Sequence, residues 1–143
     1  MSAAYRAGFR TEGRLLAATS IAVAESSLVP KARNWHREYG FRPKGDVVGV
    51  AGGPGRAADG RQLHSDRGVW QISSRFWPQY TDAQCDSPVV AARIAFAISK
   101  SGTDFSPWDV YSDRTAQAHY DHAIDGWPAM RPLVRAFLRS GPR

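Results

Sequence analysis

The apolar positions in the first part of the chain predict a buried helix that ends in a polar turn. From Thr11, a residue type suited to an N-cap, to Ser27 the sequence is Ala-rich and apolar on nearly every side. Pro30 helps to end this helix, because the residue before a proline avoids helical backbone angles. Glu25 therefore lies in the last turn of the predicted helix.

A glycine-rich stretch then interrupts the helical pattern. Residues 40–68 contain eight Gly and two Pro, with β-branched pieces such as Val47-Val48 between turn signals, so we expect a loop with a small hairpin. The segment "GVAGGPGR", residues 49–56, lacks the Lys-Ser/Thr of a phosphate loop and opens no visible helix. It is interpreted as a flexible loop and not as a nucleotide site.

Helical patterns return after this stretch. One helix is predicted to begin at Pro88, after Ser87 as N-cap, and to stop at Gly102. A second is predicted from Ser112 to about Ile124, and a last one from Pro132 to Gly141. The pattern indicates an α+β fold class that is mostly α, with one small β region, in a single domain over residues 1–143.

Composition adds bounds on stability and location. The 143-residue chain is long enough to bury about two thirds of its unfolded surface. Cys85, the single cysteine, cannot form an internal disulfide and has no evident activating partner, so packing must stabilise the fold. The sequence shows no charged leader followed by an apolar run, and no run of membrane-spanning length. We expect a soluble product made in the cytoplasm without a signal peptide.

The charge of the chain points to an anionic partner. The formal net charge is +6, and the isoelectric point is about 10.0. The arginines are scattered instead of clustered, and no named nucleic-acid motif is present. We expect no nucleic-acid partner, whereas an anionic cell-wall polymer would be attracted by the same charge.

Two carboxylates lie in contrasting settings. Glu25 has Ile21, Ala22 and Leu28 as helical neighbours, so it is paired, protonated or employed in chemistry, and an apolar setting predicts a raised pKa for its carboxyl group. Asp66 lies among polar residues at the edge of the glycine-rich stretch, where it should be solvated and ionised. Glycoside hydrolysis uses such a pair, one protonated to donate to the leaving oxygen and one charged to face the oxocarbenium-like centre.

Two motifs in order carry a family resemblance. "AESSLVPKARN" (24–34) followed by "SDRGVWQISSRFW" (65–77) resembles the lysozyme and lytic transglycosylase superfamily, in which a Glu-Ser pair ends the first core helix and the second segment forms the floor of a sugar-binding cleft. The resemblance implies a lysozyme-like fold and peptidoglycan as substrate. Lysozyme is itself the type case of the two-carboxylate scheme, so scheme and resemblance are not independent. The disulfide-free texture also resembles wall-degrading domains carried by phages of actinobacteria.

The resemblance implies a role for each matching residue. Glu25 matches the general acid, and Asp66 matches the second carboxylate of animal-type lysozymes, a nucleophile or electrostatic stabiliser. Trp108, in "SPWDVY", is the expected apolar wall against Glu25. Tyr120 resembles the tyrosine of a transglycosylase "AYN" segment whose asparagine is missing here. The implied substrate-binding residues are Ser26, Gln71, Ser73, Phe76, Trp77, Trp108 and Tyr120.

Three functions stay open at this point. A muramidase would cleave the β-1,4 bond between N-acetylmuramic acid and N-acetylglucosamine with both carboxylates. A lytic transglycosylase would use Glu25 alone and leave anhydro-muramyl ends. The third alternative is a non-catalytic wall-binding or structural virion component. The spacer between Glu25 and Asp66 is longer than in animal-type lysozymes, and the disulfides of those lysozymes are absent from this chain. Asp66 also has a structural alternative, which is to form a turn before Gly68.

The remaining expectations concern cofactors and partners. His119 and His122 share a helical spacing, but two ligands make no metal site and the HExxH pattern is absent, so no metal or cofactor is expected. The expected partners are peptidoglycan glycan strands and other phage tail or virion proteins. The expected place of action is the cell wall, with no insertion into a membrane.

Overall fold

The structure, a computed structural model, describes residues 1–35, 47–48, 56–57, 64–108 and 129–142. Within these ranges the helices are α1 (Ser2–Ala7), α2 (Glu12–Ser26), α3 (Asp82–Asp86), α4 (Pro88–Ile98) and α5 over residues 129–139. The strands are β1 (Arg33–Trp35), β2 (Val47–Val48), β3 (Arg56–Ala57), β4 (Ser65–Arg67) and β5 (Ile72–Ser73). The predicted α+β class, mostly α with a small β region, is confirmed.

Helix α2 follows the predicted pattern closely. The Thr11 side chain accepts a hydrogen bond from the Arg14 backbone N–H at 3.4 Å, as an N-cap does. The helix ends at Ser26, and Ser27 and Leu28 both adopt left-handed angles, with φ of 52° and 65°. Two successive non-glycine residues in this region turn the chain sharply and cost about 1 kcal/mol or more each. The helix therefore ends before Pro30 is reached.

Helix α4 begins at Pro88 as predicted but ends earlier than predicted. Its last helical residue is Ile98, and Lys100 and Ser101 turn away with φ of 49° and 63°. The prediction that it stops at Gly102 was wrong by one turn. Gly102 lies under the Phe9 ring, which an added Cβ would approach to 3.0 Å, so this glycine allows a close packing contact after the helix.

The other predicted elements have mixed outcomes. The strand at Val47–Val48 forms and pairs antiparallel with β3, as the hairpin pattern predicts. Helix α5 is already helical at residue 129, so it begins before Pro132. The helix predicted from Ser112 to about Ile124 lies outside the described residues. Among the described helices, none has the length and apolarity needed to cross a membrane.

The hydrophobic core lies where α1, α2 and α4 meet. Phe9, fully buried, packs edge-on against Phe96 with ring centroids 5.0 Å apart, and it stacks on Phe105 at 6.1 Å. Tyr5 meets Phe137 edge-on at 5.6 Å, which joins α1 to α5. Full burial of a ring such as that of Phe9 stabilises the fold by about 1.5–3 kcal/mol. Helix α2, which carries Glu25, joins the same core through its buried Leu15 and Leu16.

The three-stranded sheet has the order β1-β4-β5, with both pairs antiparallel. One face of this sheet carries arginine side chains that form ion pairs with α3. Arg67 is 3% exposed and pairs with Asp82 at 3.1 Å, while Arg33 grips Asp86 with two bonds of 2.6 and 3.0 Å. Both aspartates belong to α3, so these ion pairs fix the sheet against that helix. Side chains alternate along a strand, so Asp66 points to the opposite face from Arg67.

Candidate functional site

Glu25 lies half-buried in the last turn of α2. On the helix side it follows the buried Ile21 and Ala22, and the last turn contains no basic residue. The carbonyl groups at a helix C-terminus carry partial negative charge, which disfavours a second negative charge there. Glu25 also makes an interaction of its own and is not isolated at this helix end.

Ser26, the next residue, joins the end of α2 to the β4–β5 hairpin. Its hydroxyl donates to the Val69 carbonyl oxygen at 2.8 Å and lies 3.1 Å from the Ala22 carbonyl oxygen. Val69 belongs to the connecting turn, residues 68–71, between β4 and β5. The hydroxyl thus fixes Glu25 beside the hairpin that carries Asp66.

Backbone and side-chain bonds anchor the connecting turn on several sides. The Gly68 N–H donates to the Ala32 carbonyl at 3.0 Å, and the Gln71 side-chain amide donates to the Gly68 carbonyl at 2.8 Å. Gly68 has φ of 72°, and a Cβ there would lie 1.9 Å from the Cys85 carbonyl oxygen. Only glycine fits this position, which is why the turn can pack so closely against α3.

Asp66 is the middle residue of the central strand. Its Cα partners are Asn34 on β1 and Ser73 on β5, so these three polar residues, here called the polar row, cross one face of the sheet. Asp66 is half-buried and is not isolated electrostatically. The sequence predicts a solvated, ionised carboxylate at the edge of the glycine-rich stretch, and the structure places Asp66 half-buried in a strand that is paired on both sides.

One buried polar atom belongs to the polar row, and a second belongs to a residue close to it in sequence. Ser73 Oγ and His64 Nδ1 are shielded from solvent and have no hydrogen-bond partner. His64 directly precedes β4, two residues before Asp66, and alternation places both on the same side of the chain. Sequence reasoning missed His64 and Asn34, because strands of two or three residues are too short to show an alternating pattern.

The predicted aromatic residues separate into exposed and buried positions. Phe76 is 68% exposed, with the Arg75 guanidinium carbon 5.6 Å from its ring centroid. Trp77 is half-buried and packs against the core. Trp108 is 5% exposed, and its indole N–H donates to the Trp70 carbonyl at 2.6 Å. Tyr120 lies outside the described residues.

Trp70 connects Trp108 to helix α2. Its indole N–H donates to the Ala18 carbonyl at 3.0 Å, while its own carbonyl accepts from Trp108. Trp108 also packs against Phe105 with ring centroids 6.2 Å apart. These bonds hold the connecting turn, to which Trp70 belongs, between α2 and Trp108. Trp108 therefore has a structural role in addition to the one expected beside Glu25.

Other candidate chemistry is limited in the described part of the chain. No group of three or more potential metal ligands occurs within residues 1–35, 47–48, 56–57, 64–108 and 129–142. His119 and His122 lie outside these ranges, as does "GVAGGPGR" apart from Arg56. Cys85 is fully buried, and burial raises the pKa of its thiol. A protonated, enclosed thiol is a poor nucleophile.

Comparison with known proteins identifies one family. A sequence model described as a lysozyme like domain matches residues 1–110. The matched span contains both carboxylates, the connecting turn and every predicted site residue except Tyr120. No curated protein and no solved structure matches the chain.

Proposed function

The chain belongs to the lysozyme-like domain family, and from this premise we propose that it cleaves the β-1,4 bond between N-acetylmuramic acid and N-acetylglucosamine. Membership indicates peptidoglycan degradation in general terms. The observation that carries the finer proposal is the 2.8 Å bond from Ser26 to the Val69 carbonyl, which sets Glu25 beside the hairpin of Asp66. In this proposal Glu25 is the general acid and Asp66 the second carboxylate.

The proposed mechanism assigns different charges to the two carboxylates. Glu25, in the last turn of α2 at the negative end of the helix dipole, holds the proton and donates it to the glycosidic oxygen as the bond breaks. Asp66, within the polar row, is ionised and stabilises the positive charge that develops on the sugar ring. Opposite protonation states on one site are the requirement for this reaction.

The other site residues position the sugar or the protein backbone. Phe76 offers an exposed ring for stacking on a sugar face. Gln71 holds the connecting turn through its bond to the Gly68 carbonyl, and Ser73 Oγ is shielded from solvent beneath the surface. Ser26 acts on the protein backbone, because its hydroxyl hydrogen is committed to carbonyl oxygens. The sugar-binding roles of Trp77, Trp108 and Tyr120 stay predictions.

The products of digestion test this proposal. Purified peptidoglycan is incubated with the wild-type protein, Glu25→Gln and Asp66→Asn, and the soluble fragments are identified by mass spectrometry. We expect reducing muramic ends from the wild type and none from either variant. Glu12→Gln is a matched control, since it removes a carboxylate that pairs with Arg135 far from the proposed chemistry, at the start of α2. Loss of activity in this control would mean that the assay reports folding only.

A lytic transglycosylase is the second candidate, and the position of Asp66 favours it. Asp66 is half-buried in a strand paired on both sides, a setting that also suits a residue holding the sheet together. Glu25 alone would then act, and the C6 hydroxyl of the muramic residue would close an anhydro ring. Anhydro ends that survive Asp66→Asn would establish this reaction, whereas no fragments at all would indicate a binding or structural role.

A further inference from the structure

We propose that Arg75 and Phe76 form a subsite for the carboxylate-bearing part of the peptidoglycan strand, which is the lactyl group or the peptide stem of the muramic residue. This inference rests on the proposed function and adds what distinguishes the substrate from uncharged amino-sugar polymers. It is carried by three features of the structure: an exposed ring, a cation over that ring, and a rigid base next to the polar row.

The ring of Phe76 is strongly exposed. At 68% it exceeds every other exposed large apolar side chain of the described residues, the next being Leu133 at 55%. Full burial of a phenylalanine side chain would stabilise the fold by about 1.5–3 kcal/mol, and the exposed Phe76 ring forgoes most of this stabilisation. A flat apolar surface beside polar groups is the form that sugar-binding platforms take.

The Arg75 guanidinium lies over this ring, with 5.6 Å between its carbon and the ring centroid. A cation–π contact of this kind does not use up the N–H donors of the guanidinium. A guanidinium carries five N–H donors in a fork that matches a carboxylate, so a further interaction of Arg75 within the protein still leaves donors for a ligand. The pair therefore presents an apolar face and an anion-binding edge together.

The base of this pair is rigid. The Trp77 backbone N–H donates to the Ser73 carbonyl at 2.9 Å, which closes the turn that holds Arg75 and Phe76. The Trp77 carbonyl accepts from the Arg67 guanidinium at 3.1 Å, and Arg67 is itself locked in a buried ion pair. The turn begins at Ser73 of the polar row, so the pair lies at the Asp66 end of the site.

This placement gives the subsite a chemical preference. The free carboxylates of a muramic residue belong to its peptide stem, or to the lactyl group where the stem has been removed, whereas oligomers of N-acetylglucosamine carry none. A sugar stacked on Phe76 would bring such a carboxylate to the N–H edge of Arg75. The pair would favour wall glycan over a chitin-like chain of the same length.

The test compares two substrates and several variants. Peptidoglycan is used unmodified or with its carboxyl groups converted to amides, and KM and kcat are measured for the wild type, Arg75→Ala, Arg75→Lys and Phe76→Leu. Because the pair is exposed, amidation should raise the wild-type KM about threefold to fivefold and leave kcat nearly unchanged. Amidation should not change the KM of Arg75→Ala, and Arg75→Lys should fall between the two. The charge-matched control Arg93→Ala, on the exposed surface of α4, should keep the wild-type sensitivity.

The outcomes separate this inference from the proposed function. An equal effect of amidation on the wild type and Arg75→Ala would overturn the subsite while leaving the activity intact. If no variant cleaves either substrate, the proposed function fails, and sedimentation of Glu25→Gln with unmodified or amidated walls still tests the subsite. In that measurement the Glu25→Gln protein is compared with the double variant Glu25→Gln, Arg75→Ala. Equal binding of the two proteins to unmodified and to amidated walls would overturn the subsite.

Discussion

Replacing Ser26 with alanine removes the hydroxyl that joins the end of α2 to the connecting turn. In the native structure this hydroxyl donates to the Val69 carbonyl at 2.8 Å, and Val69 is 5% exposed. The carbonyl would then lose the partner that the hydroxyl provides while water has little access. The free energy of unfolding should fall by about 1–3 kcal/mol, which is the cost of a buried polar group without its partner.

The effect on activity should be larger for kcat than for KM. Glu25 precedes Ser26 directly, so release of the helix end would shift the proposed acid relative to the hairpin of Asp66. A displacement of about 1 Å in a catalytic group can lower the rate by up to about a hundredfold. We expect kcat to fall at least about tenfold, with KM within about twofold of the wild-type value.

Urea unfolding followed by tryptophan fluorescence and steady-state release of soluble peptidoglycan fragments would measure the two effects. Ser27→Ala is the matched control, because Ser27 is exposed and contributes its backbone N–H to the helix end. This control should keep the wild-type stability and kcat within small margins. A Ser26→Ala protein that loses stability but keeps its kcat would refute the idea that this bond positions Glu25.

Two further predictions concern the packing of the connecting turn against α3. Gly68→Ala places a Cβ 1.9 Å from the Cys85 carbonyl at a φ of 72°, so the free energy of unfolding should drop by more than about 2 kcal/mol, and wild-type stability in a urea titration would contradict this packing. Burial raises the pKa of the Cys85 thiol, so a thiol reagent at pH 8 should label it only after unfolding, and rapid labelling of the folded protein would contradict its burial. Because the folded state keeps a proton that the unfolded state releases, this group should also weaken the fold as pH rises above the ordinary thiol range.

The sequence could predict the helices that have long patterns. Helix α2 was predicted with its N-cap and with Glu25 in its last turn, because fifteen residues give the apolar pattern room to show. Helix α1, with six residues, and α3, with five, were missed, since neither is long enough for a periodic signal. A capping box between Thr81 and Gln84 marks the start of α3 and was readable in the sequence.

The sheet could not be predicted in the same way. Its strands have two or three residues, and distant ion pairs, Arg33 with Asp86 and Arg67 with Asp82, fix their place. Such contacts leave no local pattern, so the sequence did not show that Asp66 lies in a strand paired on both sides. The roles of the carboxylates came from a family resemblance, which the match of residues 1–110 confirms at the level of the family. The likeness to phage domains of actinobacteria stays a prediction.

The role of Glu25 as the acid is the central claim, and the isosteric variant Glu25→Gln tests it most directly. Fragment release from peptidoglycan is measured for this variant, the wild type and Glu12→Gln, with circular dichroism and urea unfolding as checks of the fold. Removal of a general acid lowers rates by about a hundredfold or more. We expect a folded Glu25→Gln protein with at least that loss, beside a Glu12→Gln protein of nearly full activity. A folded Glu25→Gln protein that releases fragments at the wild-type rate would contradict this role of Glu25.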